Sequence, residues 1–238
     1  MSITSSQVSG LLTFNVRTKL TLLFLAFGLV PALVIFAIFM AQQDDYRTAQ
    51  TRPVLDAAVG INDIIDRNLF ERYGDVQAFG LNAAAVDSGN WMSPNQGNPL
   101  INAMNGYMTG YGIYKLMLLV DPQGNLLAVN TVDGGGNAIS TESLYNQSFA
   151  GESWFESVLA GKFLNGSNGL TGTVVEQPAV FPAVAGIYGD DGYVMIFAAP
   201  VHDAMGNVVA VWANFATFDL VEEMVAGVYD RFAADGQG

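Results

Sequence analysis

The chain of 238 residues predicts an α+β fold: one transmembrane helix, a long helix after it, and an antiparallel sheet with flanking helices. Three observations predict it. Residues 20–43 contain no charged side chain. Apolar positions then recur at spacings of three and four from Val54 to Phe79, the signature of one helix stripe. Farther on, two segments of similar sequence each read strand, Asp-x-x-Gly-Asn, strand, which is the pattern of a hairpin.

The uncharged run supplies the first helix. Its core, 20–41, would be a helix about 33 Å long, sufficient for a hydrocarbon layer of about 30 Å. Fourteen of its 22 positions are Leu, Ile, Val or Phe, each favouring insertion by about 0.3–0.6 kcal/mol near the bilayer centre. Pro31 in mid-run is better tolerated in a membrane helix than in a soluble one. A cleaved signal peptide has a shorter apolar core and a small-x-small exit, whereas here Phe39 stands two residues before the best exit, after Ala41. A pilin-like leader would carry a Glu early in the helix, and none is present.

Charge then orients the chain. All 22 acidic residues follow Gln43 with seven of the nine basic ones, a net charge of −15, while residues 1–19 hold Arg17 and Lys19 and no acid. The positive-inside rule puts 1–19 in the cytoplasm as an arm and 42–238 in the periplasm or its equivalent, beyond the cell (inner) membrane. An acidic domain excludes nucleic acid as a partner, which would require a basic footprint. The chain has no cysteine, so disulfides and thiolate chemistry are excluded.

Residues 42–85 read as the long helix. Val54, Leu55, Ala58, Ile61, Ile65, Leu69, Tyr73, Val76 and Phe79 form its stripe, with Asp63, Asp66, Arg67, Glu71, Arg72 and Asp75 over much of the remainder. Pro53 removes a donor, so a kink or a fresh helix start is expected near Thr51. A stripe this long packs on its own domain and on a second copy in different stretches, which predicts a homodimer through the long helix. Residues 86–112, rich in Gly, Asn, Ser and Pro, read as a loop or partly helical cap.

The sheet domain, 113–217, begins with a strand over 113–120. In both hairpins, 116–130 and 197–212, the Asp bonds its own turn and the Gly takes a positive φ. Between them Asp133–Asn137 is a turn without the Lys-Ser/Thr of a phosphate loop. Residues 153–160 predict a short helix with Trp154, Phe155, Val158 and Leu159 on its apolar face. Strands are expected at 171–177, 183–188 and 192–199. Residues 218–238 give an exit helix and tail, with Asp219 and Glu222 as its cap and Val221, Met224, Val225, Val228 and Phe232 as its stripe.

Candidate site residues follow from this layout. Trp154 and Phe155 wall a pocket if the short helix covers the sheet, with Glu152 a polar contact before them. Ala210, Trp212 and Asn214 share a strand face by alternation, and an Asn beside a Trp suits an apolar site with a few polar groups. Tyr193, Met195 and Phe197 alternate likewise, and Asn130 ends the second strand. For each, packing in the core or exposure to solvent is the competing reading. One histidine, His202 before a turn, and no converging acids give no metal site, and Asp190 and Asp191 read as solvated turn residues. No cysteine and no Gly-x-Ser-x-Gly elbow leave no catalytic constellation, so neither an enzyme nor a cofactor is expected.

Several stretches carry a family resemblance. Val16-Arg-Thr-Lys-Leu-Thr-Leu-Leu-Phe-Leu25, running on to Pro31, resembles the first membrane helix of bacterial methyl-accepting chemotaxis proteins. Asp66-Arg-Asn-Leu-Phe-Glu-Arg-Tyr-Gly-Asp-Val-Gln-Ala-Phe79 resembles the helix leading into their sensors. Gly151-Glu-Ser-Trp-Phe155 and Pro200-Val-His-Asp-Ala-Met-Gly-Asn-Val-Val-Ala-Val211 resemble the helix start and final hairpin of a Cache (extracytoplasmic PAS-like) sensor. The resemblance implies a PAS-like sheet and an extracytoplasmic small-ligand sensor of a transmembrane chemoreceptor, with a histidine kinase or cyclase sensor, or a ligand-free tethered interaction module, as alternatives. Amino-acid-binding members place an Arg two residues before the Trp and an Asp on the last strand. Glu152 and Asn214 stand there instead, so the resemblance implies a neutral polar or cationic ligand. The second membrane helix and signalling coiled coil of such receptors are not in the sequence, so a fragment of a longer receptor or a product without its own output is expected.

Overall fold

A computed structural model describes residues 15–94, 97–166, 169–219, 221–222, 225–227 and 230. The chain divides into two compact units between Val59 and Gly60.

The first unit is helical. α1 (Val16–Phe24) starts where the Asn15 side chain accepts from the Thr18 amide, and a π-helical turn (Leu25–Leu29) joins it to α2 (Val30–Gly80), whose residues from Gly60 on belong to the second unit. The turn widens where Pro31 has no N–H to give Phe27, and the Val30 amide bonds Leu25 O instead. The segment Val16–Gln43 is long and apolar enough to cross a membrane, and none of its most apolar stretch is buried. It begins four residues before the expected 20–41. No fresh helix start falls near Thr51, since α2 is continuous through Pro53.

The second unit is built on one antiparallel sheet of β1 (Tyr114–Val120), β2 (Leu126–Val129), β3 (Val174–Val175), β4 (Ala179–Val180), β5 (Tyr193–His202) and β6 (Val208–Thr217). The order is β2-β1-β6-β5-β3, with β4 also on β5. The chain thus has the expected α+β, PAS-like arrangement of sheet and flanking helices. Helices α3 (Ala83–Val86), α4 (Pro99–Tyr111), α5 (Ser153–Leu159) and α6 (Pro182–Tyr188) complete it.

Two apolar layers sandwich the sheet. On one face Val76 and Phe79 of α2 and Leu100, Met104 and Met108 of α4 cover Met117, Leu119, Phe197 and Trp212. On the other, Trp154, Phe155 and Val158 of α5 and Val184 of α6 cover Leu116, Leu118, Ile196, Val211 and Phe215. Successive strand residues point to opposite faces, so each central strand feeds both cores.

Both hairpins form as expected, and the turn at 133–137 repeats their geometry. In each of the three, the Asp carboxylate accepts from the amides two and four residues on and from the Asn side chain. The fourth residue is Gly at φ +88, +83 and +86 in Gly124, Gly136 and Gly206.

Three expectations are corrected. Residues 182–188 form α6 and not a strand: Pro182 occupies its first turn and Gly189, at φ +70, ends it. The strand expected over 171–177 contracts to β3, with β4 after Pro178. The stretch 86–112 is the partly helical alternative expected for it, half of it being α4, started by the Asn98 side chain accepting from the Leu100 amide and stopped by Gly112 at φ +69. In the exit helix, the amides of Val221 and Glu222 bond Phe218 O, so Phe218 and not Asp219 stands at its start. Met224, Val228 and Phe232 of its expected stripe lie outside the described residues.

Candidate functional site

The sheet divides the expected site residues between its two faces. Glu152, Trp154 and Phe155 belong to α5 and its start. Met195, Phe197, Trp212 and Asn214 project from β5 and β6 on the opposite side, where Phe197 pairs with Asn214 and Met195 with Ala216. The two groups do not line one cavity.

On the α5 face, the chain folds back through Phe149, whose carbonyl takes the Glu152 amide, and α5 then sets Trp154 and Phe155 inward. Trp154 lies edge-on to Phe155 at 5.9 Å and to Phe215 of β6 at 6.1 Å. Phe181 closes on Phe215 at 4.7 Å. Within this wall Trp154 Nε1 is buried and has no hydrogen-bond partner among the described residues. A buried donor left unpaired costs about 1–3 kcal/mol, so it is a ready contact for an acceptor. Beside it, burial and then the Glu176 carboxylate push the half-buried Glu152 above the usual carboxylate range. The face thus combines an aromatic wall, one free donor and one carboxyl that binds a proton or cation readily.

On the α2 face most of the candidate residues are buried. Trp212 Nε1 donates to Asn214 Oδ1 at 2.7 Å, and both side chains are fully buried. Asn214 Nδ2 has no partner among the described residues. Asn130, also fully buried, accepts from the Met117 amide at 2.8 Å and donates to Val132 O at 2.9 Å, tying the end of β2 to β1. Tyr193 is exposed and meets Phe218 edge-on. Met195 and Phe197 line a small hollow of about 30 Å³ with Arg72 and Ile113.

Sequence reasoning missed the polar centre of this face. The Asp75 carboxylate of α2 accepts from Tyr111 of α4 at 3.1 Å and Tyr114 of β1 at 2.8 Å. Arg72 Nε lies 2.8 Å from Asp75 Oδ2, an ion pair set too obliquely for a hydrogen bond, and the guanidinium stacks over both tyrosine rings. Burial holds both phenols above their ordinary range. The one signal for it in the sequence is the Arg72–Asp75 spacing of three, which puts the two on one side of a helix.

A larger cleft opens between α2 and the segment after α5. Tyr73 donates to Leu164 O at 2.7 Å, Thr173 Oγ1 to Tyr73 O at 2.9 Å, and Gln77 Nε2 to Thr173 Oγ1 at 2.8 Å. These bonds strap the segment to the helix and leave a cavity of about 250 Å³.

No protein-family model and no curated protein matches this sequence. Solved structures do. The sensory domain of the Campylobacter jejuni chemoreceptor Tlp3, with isoleucine bound, superposes with a TM-score of 0.50 at 11% identity, over 72% of this chain and 60% of that one. The sensor domain of the V. cholerae histidine kinase DctB gives a TM-score of 0.50 at 16% identity, over 76% and 60%. The chain therefore shares the fold of chemoreceptor and histidine kinase sensory domains while spanning about 60% of the length of these structures.

Proposed function

We propose that the chain is the membrane-anchored, extracytoplasmic ligand-sensing part of a transmembrane receptor, of the chemotaxis type in preference to a histidine kinase or cyclase. The observation that carries this reading is the union, on one chain, of a membrane-length apolar helix with a sensory-domain fold. In this reading the N-terminal arm is cytoplasmic, residues 42–238 are outside, and two copies pair along α2. The ligand is a neutral polar or cationic small molecule held on the α5 face. Trp154 Nε1 donates to it, Phe155 walls it and Glu152 takes its positive end. No arginine stands in the α5 start to hold a carboxylate, which separates this site from one built for amino acids.

The test is the melting of the full chain in detergent micelles against a panel of neutral polar and cationic metabolites. Saturation at about 100 times Kd stabilises by about 2.7 kcal/mol, a rise of several degrees for a domain of this size. Flat melting curves across the panel would refute the reading. One observation favours a second reading, that of a tethered interaction module without a ligand: the space behind Trp154 is packed by Phe149, Phe155 and Phe215. That reading predicts crosslinks to another exported protein that vanish on substituting exposed positions of α2.

A further inference from the structure

We infer that the 250 Å³ cleft between α2 and the strapped segment is a second binding site, for a hydrophobic monoamine: an aromatic or branched alkyl body bearing one ammonium. It lies across the sheet from Trp154 and goes beyond the function proposed above.

Its wall is apolar, with Phe70, Tyr73, Leu164, Val175 and Phe197 surrounding the space. Phe70 and Leu164 stand 53% and 56% exposed at its mouth, apolar area that a bound molecule would remove from water. The Tyr73 hydroxyl is already spent on Leu164 O, so it offers a ligand little. Asp66 is the one charged residue on the lining, and its carboxylate has no hydrogen-bond or ion-pair partner among the described residues.

These features select the ligand. An ammonium meets Asp66, and the net charge of −15 beyond Gln43 draws cations toward the domain. A carboxylate finds no cation on the lining and is repelled by Asp66, which excludes amino acids and favours amines lacking the acid. An aromatic body suits walls built from Phe70, Tyr73 and Phe197. Because Asp66, Phe70 and Tyr73 all come from α2, occupancy would change how that helix seats on the strapped segment. A ligand acts this way only by favouring one seating over another.

The experiment is calorimetric titration of the full chain in lipid nanodiscs, against empty nanodiscs, with phenethylammonium, 2-phenylethanol and phenylalanine. Phenethylammonium binds saturably, and Asp66→Asn weakens it about two- to fivefold, the range of a solvent-exposed ion pair. Phe70→Ala weakens it about tenfold through the lost apolar contact. 2-Phenylethanol binds more weakly than the amine and is indifferent to Asp66→Asn. Both positions are exposed, so each variant should melt within about 2 °C of the parent, which separates site loss from unfolding. The proposal is overturned if phenethylammonium gives no heat, if its binding ignores both substitutions, or if phenylalanine binds with an affinity that Phe70→Ala reduces.

Discussion

Asp75→Ala should be among the most damaging single substitutions outside the apolar core. Its carboxylate holds Arg72 and two tyrosine hydroxyls, joining α2 to α4 and β1. The side chains of Arg72 and Asp75 are 11% and 15% exposed. Removing the acid leaves a buried guanidinium whose nearest remaining anion is the exposed Glu71 at 3.2 Å. Breaking a buried pair costs about 3–5 kcal/mol, and the two phenols lose a charged acceptor as well. A loss of about 4 kcal/mol lowers the melting temperature by about 8–16 °C for a domain of this size. The assay is thermal unfolding of the detergent-solubilised chain, followed by tryptophan fluorescence, since Trp212 lies 6.1 Å from Phe79 in this layer. The double variant Arg72→Met with Asp75→Leu removes both charges and should recover more than half the loss. A drop below about 2 °C for Asp75→Ala, or a double variant worse than the single, would refute the claim that this pair fastens α2 to the sheet.

Other substitutions test the turns, the sheet and the α5 face. Gly124→Ala and Gly206→Ala alter the same position of the same turn, yet a Cβ at Gly124 would sit 2.5 Å from the Ala150 amide while one at Gly206 meets nothing within 4 Å. Gly206→Ala should cost about 1–2 kcal/mol from its positive φ alone, and Gly124→Ala visibly more in urea unfolding; equal midpoints would contradict the close approach. Asn130→Ala strips a buried amide of its acceptor and should cost about 2–3 kcal/mol, read as a lower urea midpoint. Glu152 is raised in the folded state by burial and then Glu176, so protonation favours the fold and stability falls as pH rises from the ordinary carboxylate range through its folded pKa. Glu152→Gln should remove that decline, measured as melting temperature against pH, whereas an unchanged profile would dismiss the assignment.

What the sequence made legible was local chemistry. The Asp-x-x-Gly-Asn turns carry their own hydrogen bonds, so both hairpins could be located from five residues each. The same pattern at Asp133–Asn137 was legible only as a turn, because it joins no regular strands and only an isolated bridge between Val132 and Ala138 flanks it. α6 shows local signals in conflict: its β-branched and aromatic run suggested a strand, while Pro182 and Gly189 bounded a helix. The site was harder to read because it is a matter of which face meets which helix. Alternation puts Ala210, Trp212 and Asn214 on one side of β6, but nothing local says that α2 covers that side and α5 the other. The Arg72–Asp75–Tyr111–Tyr114 cluster likewise joins three elements, so its separate residues read as helix surface and strand.

The claim at the centre is that a small molecule is held on the α5 face, and the three tryptophans offer a direct test. Trp154 lies in that face, whereas Trp212 lies across the sheet and Trp91, whose Nε1 bonds Ala85 O, packs against the same layer as Trp212. With 5-fluorotryptophan incorporated into the full chain, each gives one ¹⁹F resonance, assigned by single Trp→Phe variants. A panel compound that raises the melting temperature should shift the Trp154 line and leave Trp91 in place. A compound that stabilises the chain with the Trp154 line unmoved would contradict that claim.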